Sequence, residues 1–311
     1  MRAILVVNPH ATSTTPAWRD VLASALSTRL KLDVAHTDGR GHAAELAMQA
    51  ARDGFELVVV HGGDGTVNEV VNGLLADGVQ PGAPALAVVP GGSANVFGSS
   101  LGVPRDPIEA TAHLLRALEA GRQRRVGLGR VTSDGNGARW FTFNAGLGFD
   151  ADAVERVERA RARGHKATTA RYIGAAVVSY FALDHRRPHL TLRLPGEGPI
   201  SGVYQAIVTN THPYSYVGSH PVRLNPGTSI EGGLGVFALR SLRLPTVLRH
   251  VVQILRTSGE PRGPMLVRRD DVVQVSAASE IPIGLQVDGD YLGLRQHARF
   301  DSVPAALTVI G

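Results

Sequence analysis

The sequence predicts two domains of different fold class: an α/β domain with a parallel sheet, followed by an antiparallel β-sandwich. The chain has 311 residues, which exceeds the usual size of one domain and favours two. Its first 125 residues alternate between short apolar strands and helical patterns, as is typical of a parallel sheet. From residue 126 onwards, short strands are separated by turns rich in Gly, Pro and Asn, which indicates a sandwich.

The elements of the α/β part follow each other in regular order. The predicted strands are Ala3–Val7, Leu32–Thr37, Val58–Val60 and Ala85–Val89. The predicted helices are Trp18–Leu30, Gly41–Asp53, Asn68–Leu75 and Pro107–Ala120. Because the carboxyl ends of parallel strands meet at one edge of a sheet, the loops at residues 8–12, 62–69 and 90–95 are expected to converge there.

The second half of the chain contains seven predicted short strands. They are Val126–Thr132, Trp140–Gly146, His189–Leu194, Gly202–Thr209, Gly235–Leu239, Val272–Ser276 and Leu285–Val287. A helical insert over residues 151–183 interrupts this series.

Residues 58–69 combine a buried strand, a glycine-rich turn and a helix, an arrangement that favours phosphate binding. Three glycines, Gly62, Gly63 and Gly65, let a ligand approach the backbone closely. The amide end of the following helix attracts anions, with Thr66 or Asn68 as its expected cap. Asp64 adds a carboxylate that can hold a cation against phosphate oxygens. The alternative is an ordinary α/β turn without a ligand, and a second glycine turn at residues 91–92 favours the phosphate site.

Composition excludes several classes of protein. The chain has no cysteine, which excludes disulfides, thiolate metal sites and cysteine nucleophiles. Residues 1–7 resemble a strand rather than a signal sequence, and no apolar run reaches the roughly 20 residues that span a bilayer. The chain is therefore expected to be cytoplasmic and to contact the inner face of the membrane peripherally. The net charge of +5 suits an anionic partner, whether a membrane surface, nucleic acid or a phosphorylated ligand, and simple solvation is the alternative. Nucleic acid is not the expected partner, because only the charge supports it.

Five segments, in the same order, resemble the motifs of one enzyme family. They are Asn8-Pro9, Gly62–Glu69 (GGDGT-x-NE), Pro90–Phe97 (near PGGT-x-NDF), Phe143–Asp150 (near N-x-G-x-GFDA) and Asp288-Gly289-Asp290 (near DGE). On these motifs the chain resembles the diacylglycerol kinase catalytic family, in the bacterial soluble lipid kinase branch related to sphingosine and ceramide kinases. Ser93 and Val96 depart from the family pattern, which has threonine and aspartate there.

The resemblance implies how the two domains are divided. It gives a Rossmann-like ATP-binding domain at residues 1–125, rejoined by residues 298–311. It gives a β-sandwich for the lipid substrate at residues 126–297, with the active site in the cleft between the domains.

The chemistry implied by the resemblance is transfer of the γ-phosphate of ATP to a lipid hydroxyl, with Mg²⁺. Such a reaction depends on positioning and charge neutralisation more than on covalent chemistry. The first expected acceptor is diacylglycerol, which would give phosphatidic acid. The implied ATP contacts are Asn8, Pro9, Thr12, Thr37, Gly62, Gly63, Asp64, Gly65, Thr66, Asn68, Glu69, Gly91, Gly92, Ser93 and Asn95. Asp64 is also the implied metal ligand and is counted among the catalytic residues.

The catalytic base is assigned by resemblance to Asp290, where the bacterial branch has a glutamate. A lipid hydroxyl must lose a proton as it attacks, so a nearby carboxylate is required. Asp288 is the alternative base, and a plain hairpin turn is the alternative to both, since Asp-Gly is a strong hairpin signal. The structural Mg²⁺ site of some bacterial members is not expected, because Glu231 and Gly233 replace its aspartate and its aromatic residue.

A lipid acceptor implies contact with a membrane. A basic stretch within the predicted insert consists of Arg156, Arg159, Arg161, Arg163, Lys166 and Arg171. It either contacts anionic head groups or forms a solvated helix and loop. Homodimerisation is compatible with the sequence and is not specified by it.

Two other functions remain open from the sequence. NAD kinases share the GGDGT motif and a sandwich-like second domain, although the motifs at residues 90–97 and 143–150 argue against that class. A nucleotide-sensing or membrane-binding protein without turnover is the other, because the acid at Asp290 is shortened and Val96 is altered.

Overall fold

A computed structural model describes residues 1–163, 169–182, 188–218, 220–256 and 259–311. The chain divides into two compact units, one formed by residues 1–127 and 305–311 and the other by residues 128–304. The divisions fall within two strands, Gln123–Ser133 and Asp290–Ile310, so each of these strands contributes to both units.

The first unit is a parallel sheet with helices between its strands. Its elements are β1 (Arg2–Val7), α1 (Pro16–Ser27), β2 (Lys31–His36), α2 (His42–Arg52), β3 (Leu57–Gly62), α3 (Asp64–Leu74), β4 (Ala85–Pro90), α4 (Val96–Ser100) and α5 (Pro107–Glu119). The strands pair in the order β4-β3-β1-β2, all parallel. Val309, near the end of the chain, pairs in parallel with Leu86 of β4 and adds a fifth strand to this sheet.

Sequence features account for the order of this unit. Every residue of β3 and β4 is buried, as expected for the central strands of a sheet covered on both faces. Two of the helices begin with a capping side chain followed by proline: Thr15 accepts a hydrogen bond from Trp18 N at α1, and Asp106 accepts from two amides at α5. Proline suits the first helical turn because it lacks the N–H that would otherwise stay unpaired there.

The second unit is built mainly of antiparallel strands. Its elements are β5 (Gln123–Ser133), β6 (Asn136–Phe141), β7 (Asn144–Gly148), α6 (Phe149–Ala162), α7 (Thr169–Ala182), β8 (Leu190–Arg193), β9 (Ile200–Val203), β10 (Gln205–Thr209), β11 (Ser215–Val217), β12 (His220–Val222), β13 (Leu234–Leu239), α8 (Leu244–Ile254), β14 (Leu266–Val272), β15 (Gln274–Val287) and β16 (Asp290–Ile310). Strand β15 pairs with β8 through its first half and with β7 through its second half. A buried apolar cluster contributed by ten of these strands, from β5 to β16, forms the core.

The predicted fold class, parallel α/β followed by an antiparallel β-rich part, is confirmed. The predicted insert at residues 151–183 corresponds to α6 and α7, although its residues 164–168 and 183 lie outside the part of the chain that the structure describes. Helix α8 was not predicted, and its signals in the sequence are Pro245 in the first turn and apolar residues at helical spacing after it.

Several predicted elements have different limits, and two of them lie at the motifs. Helix α3 begins at Asp64 rather than Asn68, because Gly63 is extended, with φ −89° and ψ 179°, and serves as the cap. The expectation that Thr66 or Asn68 caps this helix is therefore wrong. The predicted strand Trp140–Gly146 is interrupted at residues 142–143, where the backbone amides turn to the carboxylate of Asp288 instead of a neighbouring strand.

Candidate functional site

The three loops at the carboxyl ends of β1, β3 and β4 are tied together by hydrogen bonds. Asn8 donates its backbone N–H to His61 O at 3.0 Å. Its side-chain amide donates to the Thr66 hydroxyl at 2.9 Å. Ser13 N–H donates to Gly91 O at 3.0 Å, which connects the first loop to the second glycine turn. The convergence expected from a parallel sheet is therefore present within the first unit.

The two glycine turns pack backbone against backbone. Gly91 N–H donates to Gly62 O at 2.8 Å. A Cβ atom added to Gly91 would lie 3.0 Å from Gly62 Cα, and one added to Gly92 would lie 2.6 Å from Gly63 Cα. Real Cβ atoms essentially never approach backbone as closely as 2.6 Å, so glycine is required by contact at Gly92. At Gly91 an added Cβ would need the first turn to shift by a few tenths of an ångström. The two turns form one compact surface of main chain, which is suited to hold an anion through its amides.

Asp64 lies in the first turn of α3, directly after the first glycine turn. Its carboxylate is half-buried and accepts a hydrogen bond from Phe97 N at 3.2 Å, which fixes it against the start of α4. Gly65, the next residue, is exposed. The amide end of α3 and the Asp64 carboxylate thus lie next to each other. The amides are suited to a phosphate group, and the carboxylate is suited to a metal ion bound to that phosphate.

Hydroxyl groups border the glycine surface. The hydroxyl oxygens of Thr12 and Ser93 lie 3.4 Å apart. Asn95 closes its own loop, since its side chain accepts from Gly92 N at 2.9 Å and donates to Gly92 O at 2.7 Å. Asn95 therefore shapes the loop, whereas Thr12 and Ser93 present hydroxyl groups at it.

Four of the residues expected to contact ATP do not present a side-chain polar group at the glycine turns. Glu69 accepts hydrogen bonds from Gly41 N at 2.9 Å and Ala43 N at 3.2 Å, so its carboxylate holds the start of α2. Asn68 is fully buried in α3, and Thr37 is buried at the end of β2. Pro9 is exposed in the loop after β1.

Two basic residues near the loops were not singled out from the sequence. His61, the buried residue before Gly62, contacts Thr14 Oγ1 at 3.0 Å and Val89 O at 3.2 Å through its two ring nitrogens. Burial lowers the pKa of His61 below its ordinary value, against a smaller opposing effect of the Val89 carbonyl. Arg105 donates to Ala94 O at 2.9 Å and supports the second glycine loop. For His61, the available signal in the sequence was a histidine at the end of an apolar strand.

The acidic pair predicted as base and alternative base lies on the hairpin between β15 and β16, in the second unit. Asp288 and Gly289 both have positive φ, 47° and 81°, as a two-residue hairpin turn of this type requires. Val287 pairs with Asp290 across the turn. These three residues therefore form a hairpin turn, and a functional acid within that turn is compatible with this geometry.

The carboxylate of Asp288 is buried and fully surrounded by donors. It accepts from Thr142 N at 2.6 Å, Thr142 Oγ1 at 2.7 Å, Phe143 N at 3.0 Å and Asn144 N at 2.9 Å. Burial raises the pKa of Asp288, and these hydrogen bonds act in the opposite direction. The four donors use both carboxylate oxygens to hold the segment between β6 and β7.

Asp290 has a different environment. Its carboxylate forms an ion pair with Arg139 of β6 at 3.1 Å, and its side chain retains 16% of its exposure. The aspartate that replaces the family's glutamate is thus held by an arginine on the neighbouring hairpin.

A buried polar network next to this hairpin was not recognised from the sequence as a set of interacting side chains. Gln286 Nε2 donates to Asn144 Oδ1 and to Asp150 Oδ2, each at 2.7 Å, while Gln286 Oε1 accepts from Gly289 N at 2.9 Å. Tyr214 donates its hydroxyl to the other oxygen of Asp150 at 2.8 Å. Burial raises the pKa of Asp150, which the tyrosine and glutamine hydrogen bonds oppose. The aspartate of the fourth motif is therefore joined through Gln286 to the turn that precedes Asp290.

The loop at Thr228–Gly233 forms no carboxylate cluster suited to a metal. Glu231 is exposed, and the neighbouring acid Asp271 accepts from Gly233 N at 2.7 Å. Across the residues that the structure describes, no group of three or more His, Asp or Glu side chains comes together as metal ligands.

Comparison with known proteins identifies the first unit. The model of the diacylglycerol kinase catalytic domain matches residues 2–131. The matched segment contains all three loops and both glycine turns, so the family resemblance seen in the motifs is confirmed.

Relatives by sequence cover the chain to different extents. A "Probable lipid kinase YegS-like" of Stenotrophomonas maltophilia is 29% identical over 94% of this chain and 94% of its own length. A protein of the same name from Chromohalobacter salexigens is 39% identical over 38% of this chain and 37% of its own length. The likeness to the second of these is thus confined to part of both proteins.

Solved structures share the fold. The crystal structure of a diacylglycerol kinase from Bacillus anthracis has a TM-score of 0.71 at 19% identity, over 99% of this chain and 96% of that one. An NAD kinase from Archaeoglobus fulgidus, solved with ATP, has a TM-score of 0.52 at 14% identity over 100% and 94% of the two chains. In the part of the chain that the structure covers, no helix has the length and apolar character to cross a membrane.

Proposed function

We propose that this chain is an ATP-dependent lipid kinase that transfers the γ-phosphate of ATP to a lipid hydroxyl at the inner surface of a membrane. The observation that carries the proposal is the pair of interlocked glycine turns at the ends of β3 and β4, within a segment of a kinase family. Backbone amides presented without side chains are a means of binding polyphosphate. Diacylglycerol is the first proposed acceptor, and phosphatidic acid the first proposed product.

The nucleotide contacts are assigned to the first unit. The main chain of Gly62–Thr66 and Gly91–Ser93 holds phosphate groups, and Thr12 and Ser93 supply side-chain hydrogen bonds. The Asn8 side chain holds its loop in place through Thr66 and His10. Glu69, Asn68, Asn95 and Thr37 act on the shape of these loops, because their polar groups are buried or bonded within the protein.

The donor set around α3 fits Mg²⁺ bound together with phosphate. Mg²⁺ in kinases is usually held by one or two carboxylates, waters and the substrate's phosphate oxygens rather than by a protein cage. Asp64 offers one half-buried carboxylate beside the helix end, which matches that pattern. When bound, Mg²⁺ would neutralise charge on the phosphates, and Asp64 would fix its place.

Asp290 is assigned as the base. The acceptor hydroxyl oxygen forms a bond to the γ-phosphorus as the bond from that phosphorus to the β-phosphate oxygen breaks and ADP leaves. The hydroxyl proton passes to the Asp290 carboxylate, which Arg139 orients through the 3.1 Å ion pair. Asp288 is a positioning residue, because its two oxygens already accept four hydrogen bonds.

Transfer of labelled γ-phosphate tests the proposal. ATP and Mg²⁺ are supplied with diacylglycerol, ceramide or sphingosine in mixed micelles, and with NAD in a parallel reaction. A labelled lipid is the expected result, and it identifies the acceptor. Label on NAD alone would assign the chain to the NAD kinase class. ATP binding without any label would support the non-catalytic alternative.

A matched pair of variants tests the role of Asp64. Asp64→Asn is expected to lower transfer by at least about 10²-fold through lost metal positioning. Asp77→Asn, an exposed aspartate in the turn after α3, is expected to retain wild-type transfer. Full turnover by Asp64→Asn at saturating Mg²⁺ would remove this residue from the proposed site.

A further inference from the structure

Helix α8 presents an apolar stripe to the outside of the second unit. Its outward residues, Leu244, Leu248, Val251 and Val252, together with Leu255 directly after the helix, are between 39% and 54% exposed. At about 3.6 residues per turn these five positions fall within an arc of about 100°. Large aliphatic side chains gathered in this way indicate a surface that another apolar phase covers.

The opposite face of α8 fixes the helix to the unit. Val247 and Ile254 pack against a buried cluster that includes Phe237 and Leu242. His250 is buried and contacts the Phe237 ring edge-on, with the ring centres 6.4 Å apart. The inner face therefore holds the helix to the unit, and the residues of the outer stripe are not part of this buried cluster.

The charged residues of α8 and of its two ends are of one sign. Residues 240–256 contain four arginines and no acidic residue, and Arg240, Arg243, Arg249 and Arg256 are all exposed. The next acid along the chain, Glu260, is paired with Arg262 and Arg268. An apolar stripe bordered by arginine is the pattern of a helix that lies in the interface of an anionic membrane.

We propose that α8 is a membrane-docking helix that inserts its Leu and Val stripe among the acyl chains of an anionic bilayer while its arginines bind the lipid head groups. A second copy of this chain is a poorer occupant. In a two-fold interface the same patch meets itself, so the arginines of one copy would face the arginines of the other. An anionic lipid surface complements both the apolar and the charged parts of the patch.

Docking at α8 adds to the proposed lipid kinase function, because a kinase held at the membrane would reach acceptors within the bilayer. Only this purpose of the docking rests on the proposed function. The basic stretch at residues 156–171 is a separate feature that the docking of α8 does not require. Among its residues, Lys166 lies outside the described part of the chain.

Vesicle co-sedimentation tests the docking helix directly. The full chain is mixed with vesicles of phosphatidylcholine containing phosphatidylglycerol, and with vesicles of phosphatidylcholine alone. Strong partition to the anionic vesicles, weakened by salt, is expected. Leu248→Ser combined with Leu255→Ser should lower partition at least about tenfold. Arg249→Gln combined with Arg256→Gln should lower partition several-fold and reduce its salt dependence.

The control is Ile108→Ser, which removes an exposed aliphatic residue of α5 (64% exposed) and should leave partition unchanged. Equal partition of wild type and the Leu248/Leu255 variant would overturn the proposal, as would a wild-type chain that binds no vesicles. Sedimentation velocity provides the other check. A wild-type dimer that the same double variant converts to monomers would assign the stripe to self-association instead.

Activity readouts separate this proposal from the kinase proposal. With a short-chain acceptor dissolved as monomers, the Leu248/Leu255 variant should transfer phosphate at the wild-type rate, while with vesicle-bound acceptor it should be slower. Vesicle binding without any phosphate transfer would leave the docking helix established and reject the kinase function.

Discussion

At the scale of single residues, two aspartates two positions apart have different surroundings. Asp288 points into a set of donors that includes three backbone amides and the Thr142 hydroxyl, and Asp290 forms an ion pair with Arg139. A carboxylate that satisfies three buried amides cannot be removed without leaving them unpaired, which is costly. The first acid therefore supports the fold of the hairpin, and the second is assigned to the chemistry.

Exchange of each aspartate separates these roles. Asp290→Ala is expected to lower phosphate transfer by about 10²- to 10⁴-fold with little change in the urea midpoint. Asp288→Ala is expected to lower the free energy of unfolding by about 2–4 kcal/mol, because buried donors lose their acceptor. Asp301→Asn, on the same strand, is the control. An inactive but stable Asp288→Ala variant beside an active Asp290→Ala variant would reverse the assignment.

His61 gives the first unit a pH dependence. Because burial holds its pKa below the ordinary value of 6.5, the unfolded chain binds a proton first as pH falls. His61 therefore has no pH-dependent effect on the free energy of unfolding well above pH 6.5. Below about pH 6.5 it lowers that free energy progressively as pH falls.

Unfolding measurements at two pH values test this expectation. Wild type should lose more stability between pH 7.5 and pH 5.5 than His61→Gln, and the difference between the two proteins isolates His61 from the other histidines. In proton NMR, the ring of His61 should stay neutral to a pH below 6.5. An ordinary titration midpoint would show that the ring is not buried in solution.

Among the elements of the first unit, the strand-turn-helix segments that begin with β3 and β4 fit together because glycines lie where their turns touch. The distance from Gly92 to the backbone of the first turn leaves no room for a methyl group, and at Gly91 a methyl group would need that turn to shift. Sequence patterns identified both turns, but only contact between them explains why each needs its glycines.

Gly92→Ala tests this contact. An added Cβ would meet Gly63 Cα at 2.6 Å, so the two turns must separate, and ATP affinity is expected to fall by at least about tenfold. Gly39→Ala is the matched control, because nothing lies within 4 Å of the added atom. Calorimetric titration with ATP measures both. Unchanged affinity in Gly92→Ala would show that the turns do not form the phosphate site.

At the scale of the whole molecule, the chain returns at its end to the unit in which it began. Residues 305–311 belong to the first unit, although 177 residues of the second unit, 128–304, precede them. The apolar side chains of Leu307, Val309 and Ile310 are between 1% and 4% exposed, and Val309 pairs with β4. The first unit is therefore incomplete until the last strand has been made.

Deletion of residues 305–311 measures this dependence. Burial of each large aliphatic side chain contributes about 1.5–3 kcal/mol, so three of them amount to about 5–9 kcal/mol, comparable with the total stability of a domain. The truncated chain is expected to lose ATP binding and the cooperative unfolding of its first unit. Removal of Gly311 alone should have little effect. A truncated chain that still binds ATP would show that the fifth strand is dispensable.

Much of this architecture could be read from local patterns. The order of strands and helices in the first unit follows from short-range periodicity, and the glycine motifs mark the turns regardless of what packs around them. The start of α3 at Asp64 was missed because an extended glycine can cap a helix without any side-chain signal. The interruption between β6 and β7 was missed because its cause, Asp288, is more than 140 residues away.

Motifs and periodicity are properties of neighbouring residues, so they were enough to predict the fold class, the resemblance to a kinase family and the acids available to the chemistry. The folded chain was needed to show which acid is enclosed, which predicted ATP contacts hold other loops, and which face of α8 is exposed. Glu69 caps α2, Gln286 joins Asp150 to the hairpin, and the Leu and Val stripe of α8 is exposed. Each of these depends on contacts between residues distant in sequence, or on the absence of such contacts, which local patterns do not encode.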